Sequence, residues 1–517
     1  MSEIALADPP KIETDAKTGQ KIYRPAGRVL AHFLADESHV SLIRGPIGSG
    51  TSAACCMKIF KLAMAQHPGP DGVRRTRWVV VRNTFPDLRG TTVKTWLDWF
   101  PEDVYGRFYW DRPFRHIVKI ADVEMEVWFI ALDSPDDVRK MRSLEVTGFW
   151  FNELEFIDKA LVDEAESRTG RFPAVKDGGC RWDGVLGDMN APNEDHWVPL
   201  MMGEVPFPDH WSEDERQAFR QPPNWSYFVQ PPALIEQKAA DGSIAGYDVN
   251  PDAENVIWLK PGFYQEKRFG KSKQWIDSRL MNRITIYVEG DPVWKNFSLE
   301  THVAKAALKP IPGWKVFVGL DFGRNPAAVF GQEINGRWSI QRELIGRAEG
   351  ASEFAPKVQR VLTQHYDGFE IEIYGDPKGQ DGVQTDETTA YEVYRSHGMI
   401  VHPAPVKQNN IQTRIDAVDF VLRGMSNGLP RFLLDPWACR TLKVGMAGGY
   451  HMQKTANLAM SEPKPVKDKY SDVCDALQYM MLGAGEGRSM TRGEVGGRSQ
   501  PVRYAKKKKG LRRYAAG

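Results

Sequence analysis

The chain has 517 residues, which at ~150 residues per domain predicts three to four structural units. Hydrophobic residues make up 42% of it and charged residues 26%, a balance that excludes disordered, collagen-like and coiled-coil chains. The formal net charge of +1 is unevenly spread, because residues 484–517 hold ten basic and two acidic residues, a net +8. The rest of the chain carries −7, so the basic segment suggests a partner.

Hydrophobic patterning and cysteine content narrow the class of protein further. No apolar run approaches the ~18–20 residues of a membrane helix, and the first fifteen residues lack the pattern of a signal peptide. We therefore expect a cytoplasmic protein that does not contact a membrane. The five cysteines are odd in number and never spaced C-x-x-C, which argues against a disulfide scaffold and against a structural zinc.

Residues 1–225 predict an α/β domain with a mostly parallel sheet. Short apolar runs separated by helical or loop segments are predicted as strands at Val40–Arg44, Trp78–Arg82, Val123–Ala131, Gly148–Phe151 and Val185–Met189. Two Pro-Pro pairs follow, and we interpret residues 226–305 as a connecting subdomain with a helix at Lys273–Arg283.

Residues 306–485 predict a second α/β domain. Its strands are expected at Val316–Asp321, Val329–Glu333, Trp338–Leu344 and Glu370–Tyr374, and a helix at Tyr470–Leu482. On that helix Asp472, Asp475 and Tyr479 fall on the face opposite an apolar stripe, so the helix can pack on the sheet and still direct Asp475 towards it. Residues 486–517 are rich in Gly, Arg, Ser and Lys and are predicted to be a disordered basic tail.

A glycine-rich loop joins the first strand to a helix and has the layout of a phosphate-binding loop. The pattern G-x-x-x-x-G-K-[ST] is met at Gly45, Gly50 and Ser52, but Thr51 stands where the lysine belongs. Arg44 is the nearest candidate to supply the missing charge, and Lys58 is a second one. The alternative is a strand–helix turn that binds no ligand.

An acidic site follows the loop by about a hundred residues. The apolar run Gly148–Phe151 ends in Asn152 and Glu153, and in P-loop ATPases we expect such a strand beside the loop, with the Glu polarising the attacking water. Asn152 replaces the aspartate that binds Mg²⁺. Arg139 and Arg142 precede this strand and are candidates for an arginine finger. The alternative is a capped strand end.

Three further acids form a second candidate site. Asp321 closes a strand, Asp376 follows another, and Asp475 lies on the last helix. Three carboxylates so placed can hold two divalent ions ~3.5–4 Å apart and cleave a phosphodiester. Oxygen ligands favour Mg²⁺ or Mn²⁺ over Zn²⁺. The alternative is three ordinary surface acids.

Taken together, eight segments from about Tyr23 to Gly483 resemble the large terminase subunit of tailed bacteriophages. They are Arg44–Ser52, Val81–Pro86, Ala131–Arg139, Gly148–Glu153, Asp188–Pro192 with His196-Trp197, Gly319–Gly323, Gly375–Pro377 and Ser471–Tyr479. The resemblance implies an N-terminal P-loop ATPase of the additional-strand type and a C-terminal RNase H-like nuclease. Such proteins cut concatemeric viral DNA and pump it into a procapsid.

Carried over residue by residue, the resemblance implies roles for single positions. ATP phosphates would lie against Gly45, Gly48, Ser49, Gly50, Thr51 and Ser52, with Arg44 beside them. Glu153 would be the hydrolytic carboxylate, Asn190 the coupling residue that senses the γ-phosphate, and Tyr23 and Pro25 the adenine contacts. Asp321, Asp376 and Asp475 would form the nuclease triad, with Asp472 a further metal ligand or a bystander.

The resemblance also implies partners and a location. Double-stranded DNA, the portal protein and the small terminase subunit are expected, as is a homo-oligomeric ring that docks transiently on the procapsid in the host cytoplasm. The basic tail fits DNA or portal contact. Two other classes stay open: an RNase H-fold recombinase or transposase, and a non-enzymatic DNA-binding assembly subunit. The phosphate loop and Glu153 count against the former, and the intact acids against the latter.

Overall fold

The computed structural model describes residues 22–132, 141–208, 211–287, 291–323, 325–380, 389–406, 409–453 and 464–486. Within them the chain separates into two compact units. The first contains the described residues up to Pro206 and those of Glu213–Tyr287, and the second contains those of Phe207–Ser212 and of Val288–Gly517. Much of the segment predicted as a connecting subdomain, residues 226–287, therefore belongs to the first unit. Most of the predicted basic tail lies outside the described residues.

The first unit is built on an eight-stranded sheet with the order β3-β4-β5-β2-β6-β7-β1-β8. Its strands are Val40–Arg44 (β1), Arg74–Arg82 (β2), Phe108–Tyr109 (β3), Phe114–Ile120 (β4), Val123–Ala131 (β5), Gly148–Asn152 (β6), Gly184–Met189 (β7) and Trp225–Val229 (β8). In this order, the six strands β5-β2-β6-β7-β1-β8 are all parallel to their neighbours. Strands β3 and β4 extend the sheet beyond β5 in antiparallel pairing. The predicted mostly parallel α/β sheet is confirmed.

Helices and one hairpin complete this unit. The α-helices are Arg28–Ala35, Thr51–Ala65, Phe85–Asp87, Val93–Trp99, Glu102–Tyr105, Lys159–Glu166, Trp197–Met201, Glu213–Gln217, Phe263–Arg268 and Lys273–Arg279. Strands Leu234–Lys238 (β9) and Ile244–Val249 (β10) form the hairpin. Apolar side chains of the hairpin and the last two helices share a small core, against which Ile47 of the glycine-rich loop packs.

The strand that ends before Glu153 does not pair with the strand that leads into the loop. In the sheet order, β7 lies between β6 and β1. Gly187 of β7 leaves room for Leu42 of β1 and for Leu154, whose side-chain atoms would lie 2.8 and 2.9 Å from an added Cβ. Strand order depends on such long-range packing, which spacing along the chain does not reveal. Since all three strands are parallel, their carboxyl ends still meet at one edge of the sheet.

The second unit is built on a six-stranded sheet with the order β15-β14-β11-β12-β13-β18. Its strands are Val316–Asp321 (β11), Ala327–Ile334 (β12), Arg337–Ile345 (β13), Ile371–Gly375 (β14), Val401–Pro403 (β15) and Phe432–Leu434 (β18), and Met425–Ser426 (β16) pairs with Leu429–Pro430 (β17). The first three form an antiparallel meander, and β14 and β15 continue the sheet parallel to β11. At the other edge of the sheet, β18 pairs with β13 in parallel.

Its α-helices are Leu299–His302, Ala351–His365, Ala390–Ser396, Ile411–Leu422, Arg440–Val444 and Lys469–Gly483. In the last of these, every residue from Val473 to Gly483 is buried, including Asp475. This helix lies against β11, β12 and β14 on one side and against helix Ile411–Leu422 on another. Asp475 is therefore enclosed by packing, whereas Asp472 near the start of the helix is half-buried. Among the described helices, none is long and apolar enough to cross a lipid bilayer.

Candidate functional site

The glycine-rich loop has the backbone geometry of an anion-binding turn. It connects β1 to helix Thr51–Ala65, and Gly48 and Gly50 have φ values of 75° and 85°, which only glycine adopts without strain. No side chain in the described residues caps the first turn of that helix. Its first amide groups and its dipole are therefore available to an anion held by the loop.

Residues from beyond β8 hold this loop from outside. The amide of Ile47 donates to the carbonyl oxygen of Arg279 at 2.9 Å. Asn255 Nδ2 donates to the carbonyl of Gly48 at 2.8 Å, and Gln230 Nε2 donates to that of Ser49 at 3.1 Å. The loop is thus fixed by three contacts before any ligand binds.

The two cations proposed in place of the missing lysine are both engaged elsewhere. Arg44 Nη1 lies 2.8 Å from a carboxylate oxygen of Glu204, so its charge already has a partner. Lys58 is fully buried, and its ammonium donates to the carbonyl of Phe33 and the hydroxyl of Ser41 at 2.8 and 2.9 Å. The interpretation of Lys58 as a phosphate-binding residue is therefore wrong, because its ammonium holds the preceding helix against β1.

Burial also lowers the pKa of Lys58. Removal from water disfavours its charged form and lowers its pKa to about 8, although Asp36, 3.4 Å away, partly opposes this. The lysine is therefore a structural cation.

Glu153 follows β6 at the edge where the loop begins. Its backbone is left-handed, with φ of 56°, and its carboxylate forms an ion pair with Arg82, the last residue of β2. Arg82 Nη1 also donates to Asn152 Oδ1 at 2.7 Å. One buried guanidinium therefore orients both residues of the predicted acidic site.

A carboxylate that the sequence analysis left without a role lies between these groups and the loop. Asp188, on β7, accepts the hydroxyl of Ser52 at 2.6 Å and the amide group of Asn152 at 3.0 Å. Thr51 Oγ1 is farther away, at 3.4 Å. The sequence feature that could have identified Asp188 is an acid near the end of an apolar run. In that segment, only Asn190 was given a role, as the coupling residue.

Asn190 contacts a buried acid that the sequence analysis did not identify. Its Nδ2 lies 3.2 Å from Glu155 Oε1, and Arg279 Nη1 lies 3.1 Å from the same oxygen. Burial raises the pKa of Glu155 to about 7, with the nearby charge of Glu153 adding to the rise and Arg279 opposing it. The predicted coupling residue is thereby joined to the helix whose end contacts the loop.

The remaining predicted residues of this unit are less closely tied to the loop. Arg139 lies outside the described residues. Arg142 is exposed, with its guanidinium 3.6 Å from Glu164. The ring of Tyr23 meets Trp99 edge-on, 5.4 Å between centroids. The finger and adenine roles stay predictions.

In the second unit, strand pairing brings the first two acids to one edge. Asp321 ends β11, and Asp376 follows β14, the parallel neighbour of β11. The amide of Asp376 donates to the carbonyl of Leu320 at 3.2 Å. Asp376 Oδ1 in turn accepts the side-chain amide of Asn409 at 3.0 Å.

Asp475 reaches the same edge because the last helix lies very close to β11. A Cβ on Gly319 would lie 2.0 Å from the carbonyl oxygen of Ala476, so only glycine permits this approach. Asp475 is buried and accepts the hydroxyl of Tyr450 at 3.2 Å. Its carboxylate also forms an ion pair with Lys467.

The electrostatics show that these acids share one environment. Burial raises the pKa of Asp321 to about 8, and the negative charges of Asp475, Asp472 and Asp376 act in the same direction. Lys467 opposes the shift. Asp475, Asp472 and Asp376 thus all lie within electrostatic reach of Asp321.

The donors fit a hard divalent cation in chemical type, since they are carboxylate oxygens in an acidic, buried environment. Their present placement is looser than a metal site requires: in the described parts of the chain, no three His, Cys, Asp or Glu side chains form a group that could hold an ion. Asp475 is instead engaged with Lys467 and with Arg414, whose Nη1 lies 3.4 Å away. Metal binding by this cluster therefore stays a prediction.

No protein-family model matches this sequence, and no curated protein matches it either. Solved structures that resemble the chain are large terminases of bacteriophages. That of bacteriophage HK97 aligns over 88% of this chain and 93% of its own, at 12% identity and a TM-score of 0.35. The ATPase domain from Thermus phage P74-26 covers 51% of this chain and 95% of its own, at 14% identity and a TM-score of 0.31. The large terminase nuclease from thermophilic phage G20c covers 37% of this chain and 97% of its own, at 12% identity and a TM-score of 0.28.

Proposed function

We propose that this protein is an ATP-driven motor subunit that packages viral DNA and also cuts it. The observation that carries the proposal is the presence, in one chain, of two separate sites. One unit holds a glycine loop next to Glu153 and Asn190 at the carboxyl edge of a parallel sheet. The other holds Asp321, Asp376 and Asp475 at the edge of a second sheet.

In the first unit the residues divide the work of ATP hydrolysis. The loop amides and the hydroxyl of Ser52 bind the phosphates, and Glu153 polarises the attacking water. Its carboxylate is one-third exposed and pairs with Arg82 through one oxygen, so the other oxygen is left to face that water. Asn190 then reports the state of the γ-phosphate through Glu155 to Arg279. Arg139 and Arg142 are the candidates for an arginine finger.

In the second unit Asp321, Asp376 and Asp475 are the proposed ligands of Mg²⁺ or Mn²⁺, with Asp472 as a candidate fourth. Bound in a pair, such ions supply an activated water and stabilise the leaving oxygen of a phosphodiester. The chain's own contribution is the buried, rigid placement of Asp321 and Asp475, together with the contact from Asn409 that orients Asp376.

The proposed partners follow from the resemblance in the motifs. They are double-stranded DNA, a portal protein, a small terminase subunit and further copies of this chain in a ring docked on a procapsid. The basic residues of 488–513 would neutralise DNA phosphates without reading sequence.

The proposal is tested by assaying both activities in the same tubes. Purified protein is incubated with plasmid, ATP and Mg²⁺ or Mn²⁺, and the wild type is compared with Asp321→Ala and Glu153→Ala. We expect cleavage to disappear only in Asp321→Ala and hydrolysis to disappear only in Glu153→Ala. Strand transfer in place of hydrolytic cutting would favour a recombinase, and the absence of both activities would favour an assembly subunit.

A further inference from the structure

At the strand ends beside the glycine loop, the acid expected at one position is found at the neighbouring position on the next strand. Asn152 ends β6, and Asp188 lies directly opposite it in the parallel register of β7. P-loop ATPases place an acid at the position of Asn152, where it helps the loop's Ser or Thr to hold Mg²⁺. Here the amide occupies that position, and the carboxylate lies on the adjacent strand, which is also the direct neighbour of β1.

Asp188 makes the contacts that such an acid requires. It is almost fully buried, with 3% of its surface exposed. Its Oδ2 accepts the hydroxyl of Ser52 at 2.6 Å, and its Oδ1 accepts the indole N–H of Trp150 at 2.8 Å. The carboxylate is thus fixed by strand and core, and it orients the hydroxyl of the residue that stands at the [ST] position of the phosphate-loop pattern.

The orientation of Asn152 explains why positions 152 and 188 do not both carry an acid. Its Oδ1 accepts Arg82 Nη1 and the hydroxyl of Thr92, each at 2.7 Å. Its Nδ2 must therefore face Asp188, at 3.0 Å, and Ser52, at 3.2 Å. An aspartate at position 152 would put a second carboxylate oxygen against Asp188 at this distance. Two such charges repel each other, so only one of the two positions can be an ionised acid.

We propose that Asp188 replaces the missing aspartate of the ATPase site and, with Ser52, organises the Mg²⁺ of the bound nucleotide. This assignment rests on the proposed ATPase function. Asn152 is then a positioning residue, which holds Asp188 through its amide and is itself held by Arg82. The substitution at position 152 is therefore a displacement of the charge by one strand, about 5 Å in a sheet, and not its loss.

The test is the magnesium dependence of nucleotide binding, measured as the Kd of a fluorescent ATP analogue in Mg²⁺ and in EDTA. Four proteins are compared with the wild type: Asp188→Asn, Asn152→Asp, the exchanged pair Asn152→Asp/Asp188→Asn, and the control Asp163→Asn, whose carboxylate lies on the exposed face of helix Lys159–Glu166. Thermal melting of each protein reports whether it is folded.

We expect Mg²⁺ to tighten binding by the wild type and by Asp163→Asn. In Asp188→Asn the gain from Mg²⁺ should fall by about 10- to 100-fold, while binding in EDTA is retained. The exchanged pair should recover part of the gain, since it returns one carboxylate to the site. Asn152→Asp alone should gain no more affinity from Mg²⁺ than the wild type does.

Two outcomes separate the hypotheses. Mg²⁺-dependent binding that is unchanged in folded Asp188→Asn would overturn the assignment of Asp188 and leave the ATPase proposal standing. If Asp188→Asn did not fold, an exchanged pair that folds but shows no gain from Mg²⁺ would overturn it instead. A folded wild type that binds no nucleotide in either condition would overturn the ATPase function and this assignment with it.

Discussion

The guanidinium of Arg82 forms an ion pair with the carboxylate of Glu153 and also donates to the side chain of Asn152. One residue at the end of β2 thus sets the orientation of the proposed hydrolytic acid and of its neighbour. Only a planar fork of donors can make both contacts at once.

Arg82→Lys should therefore lower ATP turnover without removing nucleotide binding. We expect kcat to fall by about 10- to 100-fold, because a lysine can hold only one of the two partners and a misplaced base loses its alignment. Steady-state hydrolysis and analogue binding measure the two effects separately. Arg115→Lys, on the exposed side of β4, is the control. An unchanged kcat would show that Arg82 does not position Glu153.

Lys58 gives a prediction about stability rather than about nucleotide. Lys58→Met should reduce the free energy of unfolding by roughly 2–3 kcal/mol, since it removes the buried hydrogen bonds to Phe33 and Ser41 and the ion pair with Asp36. The Kd of an ATP analogue should stay within about twofold. Chemical denaturation and analogue binding test the two statements, and a large loss of affinity at unchanged stability would restore Lys58 as a phosphate ligand.

Glu155 predicts a pH dependence of stability. Its pKa of about 7 in the folded protein lies above the value of 4.5 for an unperturbed glutamate, so the folded state keeps a proton that the unfolded state releases. The contribution is complete below pH 4.5 and is lost as pH rises through 7, and it amounts to about 3 kcal/mol at most. Glu155→Gln should flatten the slope of unfolding free energy between pH 5 and 7. Glu145→Gln, at an exposed site, should leave the slope unchanged, and equal slopes in all three proteins would contradict the prediction.

Gly319 predicts a linked loss of stability and cleavage. A methyl group there would meet the Ala476 carbonyl at 2.0 Å, so the last helix must move away from β11. Gly319→Ala should cost about 3 kcal/mol and displace Asp475 from Asp321. The control is Gly350→Ala, where the nearest atom to the added methyl is 3.9 Å away. Thermal melting and plasmid cleavage are the measurements, and wild-type values for Gly319→Ala would contradict the close approach.

Lys467 predicts a gain of metal affinity. Its ammonium pairs with Asp475 and competes with any cation that the acidic cluster would bind. Lys467→Gln should tighten Mn²⁺ binding by about tenfold, because it removes one positive charge from a partly buried site. Titration followed by the electron paramagnetic resonance of free Mn²⁺ measures this, and Lys295→Gln, with an exposed side chain, is the control. Weaker binding in Lys467→Gln would show that the lysine supports the cluster instead.

Several elements were predictable because local patterns are sufficient for them. Strands β1, β5 and β11 have the predicted bounds, since each is a short apolar run with clear ends. Strands β3, β4 and β8 were missed. In the first five residues of β4, burial alternates although polar and apolar residues do not, and β8 follows a proline-rich stretch that was interpreted as the start of a connecting segment.

The candidate acids show the same division. Asp321 and Asp376 were identified because each follows an apolar strand, and Glu153 for the same reason. Asp188 also lies near the end of such a strand, yet nothing in its neighbourhood along the chain shows that it faces Ser52, 136 positions away. Contacts over that distance are made by strand order, which local sequence does not specify.

Local sequence was thus enough to predict two α/β domains, a glycine loop without its lysine, and acids at strand ends, because periodicity and turn residues act over a few positions. Only the tertiary structure decided which charges serve these sites. It inserted β7 between β6 and β1, put the carboxylate of Asp188 against the hydroxyl of Ser52, and committed Lys58 to the core. Charges act through space, and burial reduces their screening by solvent, so their partners follow from packing between residues far apart in the chain.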